Sequence, residues 1–318
     1  MGAVMPRYVA SRFGQALLVL WAAFTMSFVL LQALPGDAIQ IKFQNPDMGL
    51  SPAQIAEIRA SYGADSPMLV RYVQALGNTL RGDFGYSVQT GVPVADQLRT
   101  ALPPTLWLAS LGFTLAALIA VLLAAGSSLL PGRWLRDALQ AVPSLFVSLP
   151  AFWLGAVLIQ VVSFRLRLVP VIHPGPWQGL ILPVLTVSVP VAAPLAQILL
   201  RSIEEVSRQP FVAVARAKGA SRAGVLWRHV AANAALPALT IAGILLGELV
   251  ANAVVTETVF GLNGIGQLTA QAVGNQDTSV LQAVVILSAT GFVLINLLVD
   301  LLYPLLDPRL RPGAGGSP

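Results

Sequence analysis

The chain has no cysteine, two histidines and 19 Lys or Arg residues, and only 10% of its 318 residues are charged. Each scarcity removes a class of chemistry. Without cysteine there is no structural disulfide, no thiolate metal site and no cysteine nucleophile, so an oxidising side of a membrane poses no redox hazard. The histidines, His173 and His229, lie in different loops, which excludes a histidine metal cluster and an HExxH pair. The only lysines are Lys42 and Lys218, and neither follows a glycine-rich run or precedes Ser or Thr. A phosphate-cradling Walker A loop is therefore absent, and any ATP used must be hydrolysed by another chain. No serine falls in a G-x-S-x-G elbow, so acyl transfer has no support.

The low charge is also wrong for a water-soluble globule, where roughly a quarter of residues are charged. Hydrophobic residues make up 56% of the chain, with 27 Gly and 23 Pro. With a mean hydropathy of +0.74, this composition describes a helical integral membrane protein, in which Gly and Pro are tolerated inside spans. It excludes disorder, collagen and a disulfide scaffold. A net charge of +5 leaves nucleic acid formally open until the charges are sorted by membrane side.

A span needs about 20 mainly apolar residues to cross about 30 Å of hydrocarbon. Charge-free runs occupy 13–36, 100–132, 138–164, 168–200, 229–247 and 278–299, which predicts six spans. The fifth continues past Glu248, so its helix is expected over 235–255. The uncharged run 258–276 is rich in Gly, Asn and Gln and reads as a loop or re-entrant segment. The first run is too long for a typical signal-peptide core and has no clear small-residue cleavage site, which favours a retained helix. With the N-terminus inside, the inner segments hold twelve Lys and Arg against four acidic residues, and the outer segments hold seven basic residues, mostly in one long loop. Both termini are therefore placed in the cytoplasm, and the positive excess belongs to membrane topology rather than to nucleic acid.

Two polar segments interrupt the spans. In the outer one, 37–99, Ser51, Pro52 and Gln54 read as a capping box with proline at the first helical position, and Gly63 is placed to end that helix. Ser66 and Pro67 repeat the start signal before Met68 to Leu80, so a small two-helix external cap is expected. In the inner one, 201–233, Phe211 to Gly219 reads FVAVARAKG: a short helix of small residues, ended by Gly219 and Ser221, with a second helix starting near Arg222. On composition alone this is either a docking helix or simply a basic inner loop.

The order of residues favours the first. Ala215, Ala217, Gly219 and the later Leu236-Pro237 resemble the EAA loop of type I ABC transporter permeases. Further similarity, to the B-type subunit of the dipeptide and oligopeptide branch, runs along nearly the whole chain. It includes Leu34-Pro35-Gly36-Asp37, Gly63, Asp65, Pro67, Arg71-Tyr72, Arg81-Gly82-Asp83-Phe84-Gly85 with Ser87, Pro93-Val94 and Leu102-Pro103. It continues through Glu257-Thr258-Val259-Phe260, Gly264-Ile265-Gly266, Asn296, Asp300-Leu301-Leu302-Tyr303 and Asp307-Pro308-Arg309. The chain departs from the pattern at Asn263, where the family often has proline.

The resemblance implies an all-α, six-span type I permease fold. It divides the chain into a cytoplasmic N-terminus (1–12), a first transmembrane helix (13–36), the external cap (37–99), a five-helix permease core (100–306) containing the coupling loop 201–233, and a cytoplasmic tail (307–318). It implies a subunit of a binding-protein-dependent importer in the bacterial inner membrane. Its substrates would be peptides or a related bulky solute such as haem or a nickel chelate. Implied partners are a second homologous permease, two ATPase subunits that bind ATP and Mg, an external substrate-binding protein and membrane lipid, with no nucleic acid. No catalytic or metal site is expected in this chain.

The resemblance also carries roles onto residues. Phe211, Ala215, Arg216, Lys218 and Gly219 match the helix that docks on an ATPase. Glu257, Phe260, Gly264 and Gly266 match the segment near the outer gate, although Glu257 has an equal reading as an exposed helix-end residue. Glu248 and Asn252, at i,i+4 spacing, share one face of the fifth span, where a carboxylate is costly unless it meets protein or a watery cavity. They either line the translocation path or hydrogen-bond this helix to a partner. The competing reading of the whole chain is a proton-coupled secondary carrier using Glu248 and Asp300.

Overall fold

In the computed structural model, residues 4–33, 51, 54, 66–175 and 177–306 are described. Helices α1 (Val4–Ala33) and α2 (Met68–Leu80) precede the long α3 (Val94–Leu129). Then follow α4 (Arg133–Val147), α5 (Ala151–Leu158), α6 (Gln178–Ser207), α7 (Pro210–Ala217) and α8 (Arg222–Val225). The last described elements are α9 (Ala231–Phe260), α10 (Ile265–Gly274) and α11 (Thr278–Leu306). Single π-helical stretches, Ile159–Arg165 and Leu226–Val230, continue α5 and α8.

Among the described residues, five helical segments are long and apolar enough to cross a membrane: Ala10–Ala33, Val94–Leu129, Gln178–Ser207, Arg222–Leu249 and Thr278–Leu298. A sixth span exists if α4 and the α5 segment are counted together, but they are bent by 102°. The expected straight span over 138–164 is thus broken. Pro150 is the cause: it cannot donate to a continuing helix and drives the residue before it out of the helical region. The span expected from residue 168 begins only at Gln178, because uncharged residues before it form a loop. There Arg167 and His173 adopt positive φ, and Pro170 and Pro174 interrupt helix formation. The run 258–276 corrects the loop expectation, since α9 extends to Phe260 and α10 begins at Ile265.

The chain forms two compact units, one built on Leu106–Gly261 and the other on Leu262–Val293 with the described parts of Pro6–Thr105. In the first, α6 is the central helix. Its buried residues include Ser188, Ala192, Ala193 and Ala196, small side chains that allow close helix approach. Leu195 and Ala196 pack with Ala120 of α3 and with Ile241 and Leu245 of α9.

In the second unit the core is formed by Val94, Leu98 and Ala101 of α3, Ile265 and Ala272 of α10, and Val280 and Val284 of α11. Tyr72 of α2 stands edge-on to Phe24 and Phe28 of α1, with centroids 5.6 and 5.3 Å away. Its hydroxyl is 2.8 Å from that of Thr25. This aromatic clamp fixes α2 against α1.

At Ser51 the reciprocal capping bonds are present: the Gln54 amide donates to Ser51 Oγ at 3.3 Å, and the Ser51 amide donates to Gln54 Oε1 at 2.8 Å. Pro52, Gly63 and the body of that first outer helix lie outside the described residues. Helix α2 starts at Met68 with Pro67 as its cap residue, and no side chain caps it.

Candidate functional site

The short α7 is delimited by local chemistry at both ends. Gln209 is extended, Pro210 supplies the fixed φ suited to a first helical turn, and Gly219 at φ +86° ends the segment in a conformation most residues avoid. Ser221 then caps α8, its hydroxyl oxygen accepting from the Gly224 amide at 3.1 Å.

The helix has two faces. Val212 is fully buried with Val225, Leu226, Val230 and Ala234, so one side of α7 is pinned to the bundle. Phe211 and Val214 are 46% and 54% exposed and, with Lys218 one turn further, occupy the opposite side. Ala215 is half-buried between these faces. Arg216 is exposed but lies one turn after Val212 and lines a cavity on the bundle side. The five expected coupling residues lie along α7 and the turn that ends it, yet Arg216 does not share the face of Phe211 and Lys218.

The residues expected near the gate divide between the two units. Glu257 is fully buried near the end of α9, contrary to its reading as an exposed helix-end residue. One turn later Phe260 packs beside Gly155 of α5: a β-carbon placed there would lie 3.2 Å from the ring and 3.3 Å from Val259. Gly261, at φ +64°, terminates α9.

Gly264, in extended conformation, precedes α10, and Gly266 is buried within it. The Ile265 amide donates to the buried Thr105 hydroxyl at 2.8 Å, tying the start of α10 to α3. Beside Gly264 is a cavity of about 290 Å³ lined by Asp96, Gln97, Thr100, Asn263, Gln267 and Gln271. Sequence reasoning missed this amide-rich lining, because the side chains come from segments more than 160 residues apart in part and no local pattern marks them.

Glu248 is exposed on α9. Asn252 follows one turn later, but its side chain lies outside the described residues, as do those of Asp300 and Tyr303. Sequence reasoning also missed Asp277, a buried acid immediately before α11. Its placement one residue before a helix start was an available N-cap signal.

This helical architecture is that of an ABC importer permease, and residues 98–312 match the family described as the binding-protein-dependent transport system inner membrane component, to which the chain belongs. Among its relatives, the glutathione transport system permease protein GsiC of Escherichia coli (strain K12) is 33% identical over 308 residues, covering 96% of this chain and 99% of that protein. A probable peptide ABC transporter permease, y4tP of Sinorhizobium fredii (strain NBRC 101917 / NGR234), is 36% identical over 312 residues, with the same 96% and 99% coverage. The fold is also similar to a solved inward-facing structure of the MetNI methionine ABC transporter. There the TM-score is 0.55 at 18% identity, over 66% of this chain and 96% of that one. Family membership sets aside the proton-coupled carrier. The chain is a multi-pass membrane permease.

Proposed function

We propose that this permease carries peptides of the dipeptide, oligopeptide or glutathione class inward, forming half of a translocation path with a second, homologous permease. The observation that carries the substrate class is identity over nearly the full length to proteins named as glutathione and peptide permeases. The excess of Lys and Arg on the inner segments supports cytoplasmic termini, with 37–99 outside and 201–233 inside. An external binding protein delivers substrate, and two partner ATPase subunits bind ATP and Mg; this chain supplies no cofactor site.

Helix α7 is the contact to an ATPase. Its buried Val212 seats it rigidly, while Phe211, Val214, Ala215 and Lys218 present an apolar and cationic face to a groove on the partner. Closure of the ATPases then moves α7 and, through its packed face, the bundle. Glu257, Phe260, Gly264 and Gly266 act near the outer gate, and the amides around Gly264 suit the hydrogen-bonding groups of a peptide backbone. Glu248, exposed on α9, is the candidate for lining the path, with a partner-subunit contact as the alternative.

The test is uptake of labelled glutathione, a dipeptide and an oligopeptide by source cells with and without this chain, alongside haem and a nickel chelate. ATP-dependent uptake of a peptide that vanishes with the chain is expected. Unchanged uptake of every peptide, with loss of haem or nickel uptake, would replace the substrate assignment.

A further inference from the structure

In the first unit, three arginines from three different helices line one cavity of about 460 Å³: Arg136 of α4, Arg216 of α7 and Arg222 of α8. Ser207 adds a hydroxyl at the wall, and the buried side chains of Val225 and Leu226 form an apolar floor. Arg136 is held in place by its Nε, which donates to the Ser127 carbonyl at 3.2 Å and leaves the terminal nitrogens free of that bond. Arg216 is directed to the cavity by the helical phase that buries Val212.

Among the described residues no carboxylate pairs with any of the three, and the nearby Glu204 is engaged by Arg208. Guanidinium groups gathered around one space repel one another until an anion enters. Their planar forks match phosphate oxygens in particular.

The setting identifies the source of that phosphate. On α4, Trp134 is 81% exposed and shares a face with the exposed Leu145 three turns later, while Arg133, Arg136 and Asp137 give the helix a polar side. An amphipathic helix with an exposed Trp and adjacent arginines lies in a membrane interface, with its basic side at headgroup level. The 102° bend after α4 frees it from the direction of the helix that follows.

We propose that Arg136, Arg216 and Arg222 form a binding site for a phosphate oxyanion, occupied by the phosphodiester headgroup of an anionic lipid. In the orientation proposed above, that lipid comes from the inner leaflet. Basic pockets of this kind at the cytoplasmic membrane face recognise anionic headgroups by the same electrostatics. Occupancy would brace α7 against α4, so the membrane itself would set how firmly the coupling helix is held.

The experiment is native mass spectrometry of the full-length chain in its transporter complex, titrated with phosphatidylglycerol or phosphatidylcholine. The double variant Arg136→Gln/Arg222→Gln should lose about tenfold or more in phosphatidylglycerol affinity, as removal of two charge-assisted contacts requires. The variant Arg201→Gln/Arg228→Gln removes equal charge from exposed positions outside the cavity and off α4, and should bind as the natural chain does. Because all the altered side chains are exposed, folding should survive. Should the glutamine pair fold poorly, Arg136→Lys/Arg222→Lys keeps the charge but loses the fork, and a smaller loss of affinity is expected.

Phosphatidylglycerol retained in millimolar inorganic phosphate supports the lipid as occupant; displacement by phosphate supports the same site with a soluble source. Equal phosphatidylglycerol affinity in the cavity variants and the control variant overturns the site. The readout is independent of transport, so it separates this proposal from the peptide assignment.

Discussion

The Ser87 hydroxyl donates to Asp277 Oδ2 at 2.5 Å across 190 positions of sequence, and both side chains are buried. The same carboxyl group receives the Gln89 amide at 3.5 Å and, through Oδ1, the Val280 amide at 3.4 Å. Ser87 Oγ in turn accepts from the Thr90 amide at 3.1 Å. One acid therefore caps the first turn of α11 and fastens the turn before α3 to it.

This latch makes the second unit depend on a polar pair. Ser87→Ala leaves Asp277 buried with a bond missing and should cost about 1–3 kcal/mol. Asp277→Ala also removes the cap and should cost more, whereas Asp277→Asn keeps the acceptor at the cap and should fall between them. Thermal unfolding of the purified protein in detergent checks the order. In a double-mutant cycle Ser87→Ala and Asp277→Ala should be non-additive by at least about 0.5 kcal/mol; additive losses would mean that the two side chains stabilise the fold independently.

What the sequence made legible and what it hid divide along the same physical line. The end of α7 at Gly219 and the start of a second helix near Arg222 were readable because Gly219 and Ser221 act on their own neighbours, whereas Pro210 as the start of α7 and Ser221 as the cap of α8 came from the structure. The apolar runs announced the spans because desolvating charge is costly wherever it occurs. Absence of charge does not specify helix, however. The loop before Gln178 and the bend at Pro150 lie inside charge-free runs, and only their prolines signal the break. Thr105 and the Ser87 partner of Asp277 were hidden for a different reason: each completes a bond to a segment far along the chain, which no local window contains, although Asp277 itself offered a local N-cap signal. The faces of α7 needed both levels, since spacing relates Arg216 to Val212 but only packing shows which side is buried.

Separate faces on α7 predict separate consequences. Phe211→Ala removes exposed apolar area and should leave the chain folded and inserted. It should also lower substrate-stimulated ATP hydrolysis of the complex and uptake together, by about tenfold for each 1.4 kcal/mol of docking free energy lost. Ala215→Trp should do the same by obstructing close approach. Val212→Asp instead places a carboxyl in a packed cluster and should reduce the amount of folded protein. Normal coupling in Phe211→Ala and Ala215→Trp would remove α7 as the contact.

The approach of Gly155 to Phe260 predicts a steric effect at the end of α9. Gly155→Ala requires the ring and Val259 to yield by a few tenths of an ångström, while Gly155→Val brings further methyl groups into the same contact. Overpacking of this kind costs about 1–3 kcal/mol. The valine variant should therefore unfold at lower temperature than the alanine variant, and a compensating Phe260→Leu should recover part of the loss. Equal melting temperatures for Gly155→Val and the natural chain would show that α9 moves aside freely.

The exposure of Glu248 on α9 admits a sharper experiment because the chain has no cysteine to remove first. A carboxylate turned toward hydrocarbon within a membrane helix is costly, by up to about 2.5–3.5 kcal/mol at the helix centre even on the lenient insertion scale. The side chain therefore turns to water in a path or to a partner subunit. Glu248→Cys creates a unique thiol. On a watery path it should react with a hydrophilic, membrane-impermeant maleimide at a rate that changes when ATP drives the complex between states, and Glu248→Gln should alter uptake. In a subunit interface the thiol should resist the reagent in the assembled complex and react only after dissociation, with Glu248→Gln weakening assembly instead. Slow labelling in every state of the complex, with unchanged uptake by Glu248→Gln, would exclude the path, since a group lining it must meet water in at least one state of the cycle.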